Sequence, residues 1–207
     1  MKWVALLGKV ANNPVFSTGF GAAGENLAQL RMQLSRWVKD GRLIKLRRGL
    51  YVLTEPYRKV SPEPFYVANT LKSASYVSLQ SALAYYGLIP EYVPVVTSVT
   101  TKRPQSYNTE LGRYEFKHIK KTLFYGYKQL EVVSGQNVFI ALPEKALLDL
   151  VYLSPDADNP KYLRELRLQR FDSLDLGLLQ QLAEKSKSQK LIGASKVIQK
   201  LAKEELS

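Results

Sequence analysis

Apolar positions in the first sixty residues change spacing along the chain, and each spacing predicts an element. Trp3, Leu6, Leu7 and Val10 share one helical face, and Asn12-Asn13-Pro14 stops that helix. Ser17 or Thr18 is positioned to cap a second helix running toward the glycines at Gly21 and Gly24. The strongest periodicity spans Glu25 to Lys39, where Leu27, Leu30, Leu34, Trp37 and Val38 form one stripe, and Asp40-Gly41 reads as its C-terminal stop. Arg42 to Leu53 then reads as two short strands around a turn at Arg47-Arg48-Gly49. Three helices followed by a hairpin predict a winged helix-turn-helix over residues 1–60.

Pro56, Pro62 and Pro64 mark a linker, so a second domain is expected over residues 61–207. Helices are predicted at Pro64 to Ser73 and at Ser78 to Tyr86, the latter ending at Gly87. Val93 to Thr101, Tyr114 to Ile119 and Asn137 to Leu142 are strand-like, and Pro143 opens a helix through Leu153. From Lys161 onward the pattern is helical, with segments at Leu163 to Arg170, Leu174 to Glu184 and Leu191 to Leu206. The expected class is α+β: an N-terminal winged helix-turn-helix, then an α+β domain with a helical C-terminal tail.

Charge sharpens this division. Residues 1–60 carry eleven Lys/Arg against Glu25, Asp40 and Glu55; residues 61–160 balance nine against nine; the remainder is moderately basic within a net charge of +12. Cationic charge concentrated at one end fits a polyanion-binding module, because neutralised phosphates release counterions. The absence of cysteine excludes disulfides and thiolate metal sites, and His118 alone builds no multi-histidine site. No segment reaches a membrane span, and the apolar stretch Trp3 to Leu7 is too short for a secretory leader, so a cytoplasmic protein without membrane association is expected.

On the helix ending at Lys39, the side opposite the apolar stripe presents Gln29, Met32, Arg36 and Lys39, with Gln33 and Ser35 flanking. Arg suits guanine edges and Gln suits adenine, so this helix is expected to read the major groove of double-stranded promoter DNA. Lys45, Arg47 and Arg48 in the hairpin are expected to meet phosphate or the minor groove. Thr18 completes the predicted DNA-binding set.

Four segments in order, LSRWVKDGRLIKLRRGLYVL, ANTLKSASYVSLQSALAYYGLIPE, VTSVTTKRP and IALPEKALLDLVYL, resemble the AbiEi family, antitoxins of type IV toxin-antitoxin systems linked to abortive phage infection. The resemblance covers about Val15 to Leu153. It implies an autoregulating repressor whose N-terminal domain binds its own promoter and whose remainder counteracts a nucleotidyltransferase toxin, with direct complex formation left open. The alternative from another class is a protein- or RNA-interaction module with only nonspecific DNA affinity.

Enzymatic readings find little support in the residues, and no cofactor or metal is expected. Glu115-Phe116-Lys117 has an ExK spacing, but the strand Val93 to Thr101 supplies no acidic partner for Mg²⁺. Glu144 and Asp149 are badly spaced for a two-carboxylate site, and Lys145 with Asp149 at i,i+4 reads as a surface ion pair. His118 between Lys117 and Lys120 reads as part of a solvated basic stretch. The tyrosines, Tyr66, Tyr76, Tyr85, Tyr86, Tyr92 and Tyr107 among them, read as packing groups rather than base-stacking platforms.

Overall fold

A computed structural model of the chain describes residues 1–21 and 26–205. The protein is α+β, with a helical C-terminal tail. Its N-terminal part comprises α1 (Trp3–Val10), β1 (Phe16–Ser17), a 3-10 turn (Thr18–Gly21), α2 (Leu27–Lys39), β2 (Leu43–Arg47) and β3 (Leu50–Leu53). The three strands form an antiparallel sheet in the order β1-β3-β2. Strand β1 was not foreseen, because a two-residue strand carries no periodicity to read. Where a second helix was expected from Ser17 or Thr18, the chain enters β1 and then the 3-10 turn; its continuation through residues 22–24, like Glu25, lies outside the described residues.

Helix α2 starts on Asn26, whose side-chain oxygen accepts from the Ala28 and Gln29 amides at 2.9 and 3.3 Å. It stops at Gly41, where φ is +69° and the Arg42 amide donates to the Trp37 carbonyl. Leu30, Leu34 and Trp37 are buried as the stripe predicts, but Leu27 is 47% exposed. It is the first residue of the helix.

The small sheet is sandwiched. Leu43, Tyr51 and Leu53 pack with Leu6, Val10, Leu30, Leu34 and Trp37 into an N-terminal core. Strand alternation turns Ile44, Leu46, Leu50 and Val52 to the other face, where they join the main core with Val67, Leu71 and Val77. The predicted boundary near residue 60 therefore separates two sequence segments that share a continuous apolar layer.

The rest of the chain forms α3 (Pro64–Leu71), β4 (Ser75–Val77), α4 (Leu79–Tyr85), β5 (Val95–Thr100), β6 (Gln105–Thr109), β7 (Gly112–His118), β8 (Tyr127–Val133), β9 (Gln136–Ala141) and α5 (Pro143–Leu153). Its six-stranded mixed sheet has the order β6-β7-β5-β4-β9-β8, with β5 parallel to β7 and β4 parallel to β9. Strands β6 and β8 were missed in the sequence because these edge strands are polar or exposed at most positions. The tail consists of α6 (Pro160–Glu165), α7 (Leu176–Lys185) and α8 (Gln189–Glu205); α7 and α8 cover α5, while Leu206 lies outside the described residues.

One expectation about this region is corrected. Lys145 and Asp149 do pair, but not at the surface: each is 2% exposed, because α5 lies between the sheet, α4 and the tail. The Asp149 carboxylate also accepts from Ser78 Oγ at 2.8 Å and from the Tyr76 hydroxyl at 3.0 Å. Burial pushes the Asp149 carboxyl up, while the ammonium and both hydroxyls pull it back. Glu144, also buried, accepts from the Asp175 amide at 2.9 Å and so ties α5 to the start of α7.

Candidate nucleic-acid interface

At about 100° per residue, burying Leu30, Leu34 and Trp37 leaves two different exposed flanks on α2. Arg31 and Ser35, one turn apart, form the flank beside the hairpin. Gln29, Arg36 and the half-buried Gln33 form the far flank, with Met32, 58% exposed, and Lys39 between them. The sequence alone gives no way to decide which flank of a helix its following hairpin will approach.

Between α2 and the hairpin runs an open groove of about 450 Å³ lined by Thr18, Arg31, Ser35, Lys45, Arg48 and Tyr51. Its floor is fixed by strand alternation: Lys45 pairs in register with Tyr51, and both face α2 rather than the main core. Thr18 is held at the rim because its amide donates to the Gly49 carbonyl at 3.0 Å. Gly49 itself adopts φ +79°, which lets the chain turn back tightly after Arg48. Three cations and three hydroxyl-bearing side chains thus converge with no acidic residue in the lining. Arg31, Lys45 and Arg48 make no ion pair among the described residues.

Of the residues singled out from sequence, the groove brings together Thr18, Lys45 and Arg48. Gln29, Gln33 and Arg36 stand apart on the far flank of the same helix. Arg47 behaves differently from its neighbour: its Nε donates to the Leu71 carbonyl at 3.0 Å and its Nη1 to the Arg48 carbonyl at 3.2 Å. It ties the hairpin turn to the end of α3 rather than lining the groove. Arg31 was absent from the predicted set; its i,i+4 relation to Ser35 was the available signal.

Chemically, the groove is suited to an anion. Guanidinium groups at two walls and an ammonium on the floor provide charge-assisted donors, and the Thr18 and Ser35 hydroxyls add neutral ones. The exposed Met32 thioether offers an apolar contact of the type a thymine methyl accepts. Elsewhere, Glu115 and Lys117 lie beside Thr97 and Val99 of β5, so the ExK spacing has no neighbouring carboxylate on that strand. Among the described residues no group of three His, Asp or Glu is placed to hold a metal ion. No helix there is long and apolar enough to cross a membrane.

The chain matches no protein-family model and no curated protein. Its fold is similar to that of the RV2827C protein from Mycobacterium tuberculosis, with a TM-score of 0.53 and 14% identity over 92% of this chain and 75% of that one. At this identity the likeness concerns the fold.

Proposed function

We propose that the N-terminal part is a winged helix-turn-helix that binds double-stranded DNA. The order α1, β1, turn, α2, β2, β3 with sheet order β1-β3-β2 supports this reading, since it sets α2 and the β2–β3 wing side by side. The single observation that carries it is the unpaired cationic groove between helix and wing. In this arrangement α2 enters the major groove with Arg31, Met32, Ser35 and Arg36 near base edges, while Lys45 and Arg48 meet phosphates.

The protein is then a transcriptional repressor of the AbiEi antitoxin type, autoregulating its promoter and counteracting a nucleotidyltransferase toxin. The ordered motifs from LSRWVKDGRLIKLRRGLYVL to IALPEKALLDLVYL support that assignment. The test uses the full chain: a reporter driven by the chain's own upstream region, with the neighbouring gene expressed beside it. Repression that Arg31→Ala/Arg48→Ala abolishes, together with growth rescue from a toxic nucleotidyltransferase neighbour, is the expected result. Repression without rescue would remove the antitoxin assignment, and full repression by the double variant would remove the groove from the DNA interface.

A further inference from the structure

Residues 61–160 have equal numbers of basic and acidic groups, yet five of the cations gather at one end of the large sheet. Strands β5 and β7 run parallel, so their C-terminal ends, Thr100 and His118, lie side by side. The segments leaving those ends carry Lys102 and Arg103 from β5, and Lys120 and Lys121 after β7; all four are exposed. Lys72, just after α3, joins them: its Nζ bonds Gln105 Oε1 at 3.1 Å, while Lys102 Nζ bonds Ser73 Oγ at 2.8 Å. His118 Nδ1 donates to the Lys102 carbonyl at 3.1 Å and pins that loop.

The acids of the same unit stand away from these cations: Glu131 lies on β8 at the far edge of the sheet, and Asp156 and Asp158 follow α5. Glu91 and Glu110 stand at the opposite ends of these strands, about 20 Å away along β7 at roughly 3.3 Å per residue, while the Glu63 carboxylate is occupied in capping α3. Glu144 and Asp149 are buried residues of α5 itself. Glu115 points to the opposite face from His118 by strand alternation. Lys72, Lys102, Arg103, Lys120 and Lys121 consequently form no ion pair among the described residues. Burial, and then the neighbouring Lys102 ammonium, holds the Lys72 amine below its ordinary range. An arriving anion would relieve that repulsion.

This basic end adjoins the wing. Arg48 lines the groove, its neighbour Arg47 bonds the Leu71 carbonyl, and Lys72 is the next residue. A cationic track therefore leads from the groove over the wing tip and onto the large sheet. We propose that this end of the α+β unit is a second phosphate-binding surface, which extends the DNA-backbone contact along the duplex flanking the wing. The inference rests on the DNA-binding reading above and adds that the footprint exceeds the winged helix itself. Backbone contacts carry no sequence information, so a mixed-sequence duplex is a sufficient probe.

The experiment measures affinity of the full chain for a duplex of about 30 base pairs by fluorescence anisotropy, between about 50 and 200 mM salt. Each lost phosphate contact lowers the log–log salt slope by about 0.9. Lys102→Gln/Arg103→Gln should therefore lower it by about two. The charge-retaining Lys102→Arg/Arg103→Lys should keep it. Lys187→Gln/Lys196→Gln, which removes the same charge from exposed positions of the C-terminal tail, should leave it unchanged. A wild-type protein that binds while Lys102→Gln/Arg103→Gln shows an unaltered slope overturns the second surface and leaves the wing interface standing. An equal drop in the tail variant also overturns it, since the slope would then report net charge alone. No binding by wild type at the lowest salt would overturn both readings together.

Discussion

Replacing Lys145 with Met isolates the energetics of the buried network under α5. The exchange keeps an unbranched stem of similar length, and that stem is packed: a Cβ placed at Gly126 would lie 3.0 Å from Lys145 Cγ. What disappears is the ammonium, which neutralises Asp149 and lies 5.4 Å from the Tyr125 ring centroid and 5.7 Å from that of Tyr76. Asp149 would keep only the Ser78 and Tyr76 hydroxyl donors, at 2% exposure. Removing one partner of a buried pair costs about 3–5 kcal/mol. For a domain of this size about 2–4 °C of melting temperature is lost per kcal/mol, so a fall of roughly 6–20 °C is expected.

The pH dependence of that loss has a definite sign. Without the ammonium, burial raises the Asp149 carboxyl further above its unfolded value. A carboxyl raised in the folded state contributes stability that is complete below its unfolded pKa and is lost as pH rises through the folded one. The gap between Lys145→Met and wild type should therefore be widest near neutrality and narrow as pH falls. Urea unfolding followed by far-UV circular dichroism and by fluorescence of Trp3 and Trp37 measures this directly. Lys145→Met/Asp149→Asn should recover most of the loss, since the amide oxygen still accepts from Ser78 and Tyr76. A loss below about 1 kcal/mol, or a gap that widens on acidification, would refute the reasoning.

Other consequences are simpler to state. Asn26→Ala removes the acceptor for two amides at the start of α2 and should cost about 1 kcal/mol in urea unfolding. Ile44→Ala opens the apolar layer beneath the β2–β3 hairpin and should cost about 2–5 kcal/mol, with tryptophan fluorescence and circular dichroism shifting together because the layer is shared. Arg48→Ala should lower the salt slope of DNA binding by about one. Arg47→Ala should instead lower stability by about 1 kcal/mol through loss of its bond to Leu71.

The strongly periodic elements were legible in the sequence. Helix α2 was, because Leu30, Leu34 and Trp37 have one face to bury; so was α5, because Pro143 begins it. The two-residue β1 and the edge strands β6 and β8 were not legible, since their polar or exposed positions lack the alternation that a buried face imposes. The candidate site was legible as a set of cations but not as an arrangement. Thr18 reaches it through strand pairing, Arg31 through the angle between α2 and the hairpin, and Arg47 leaves it for a carbonyl 24 positions away. Lys145 and Asp149 show the same limit. Their i,i+4 spacing announced a pair, but only the packing of α5 between the sheet, α4 and the tail puts that pair inside the protein.

The central claim is that the groove between α2 and the wing positions the protein on a particular DNA sequence. It is tested most directly by titrating the full chain and Arg31→Ala against the fragment upstream of its own gene and against a scrambled duplex of equal length. The account predicts that wild type prefers the upstream fragment by about 10³-fold or more. It also predicts that Arg31→Ala loses about 1–3 kcal/mol there and much less on the scrambled duplex. Equal wild-type affinity for the two duplexes, or an equal loss on both in the variant, would contradict it.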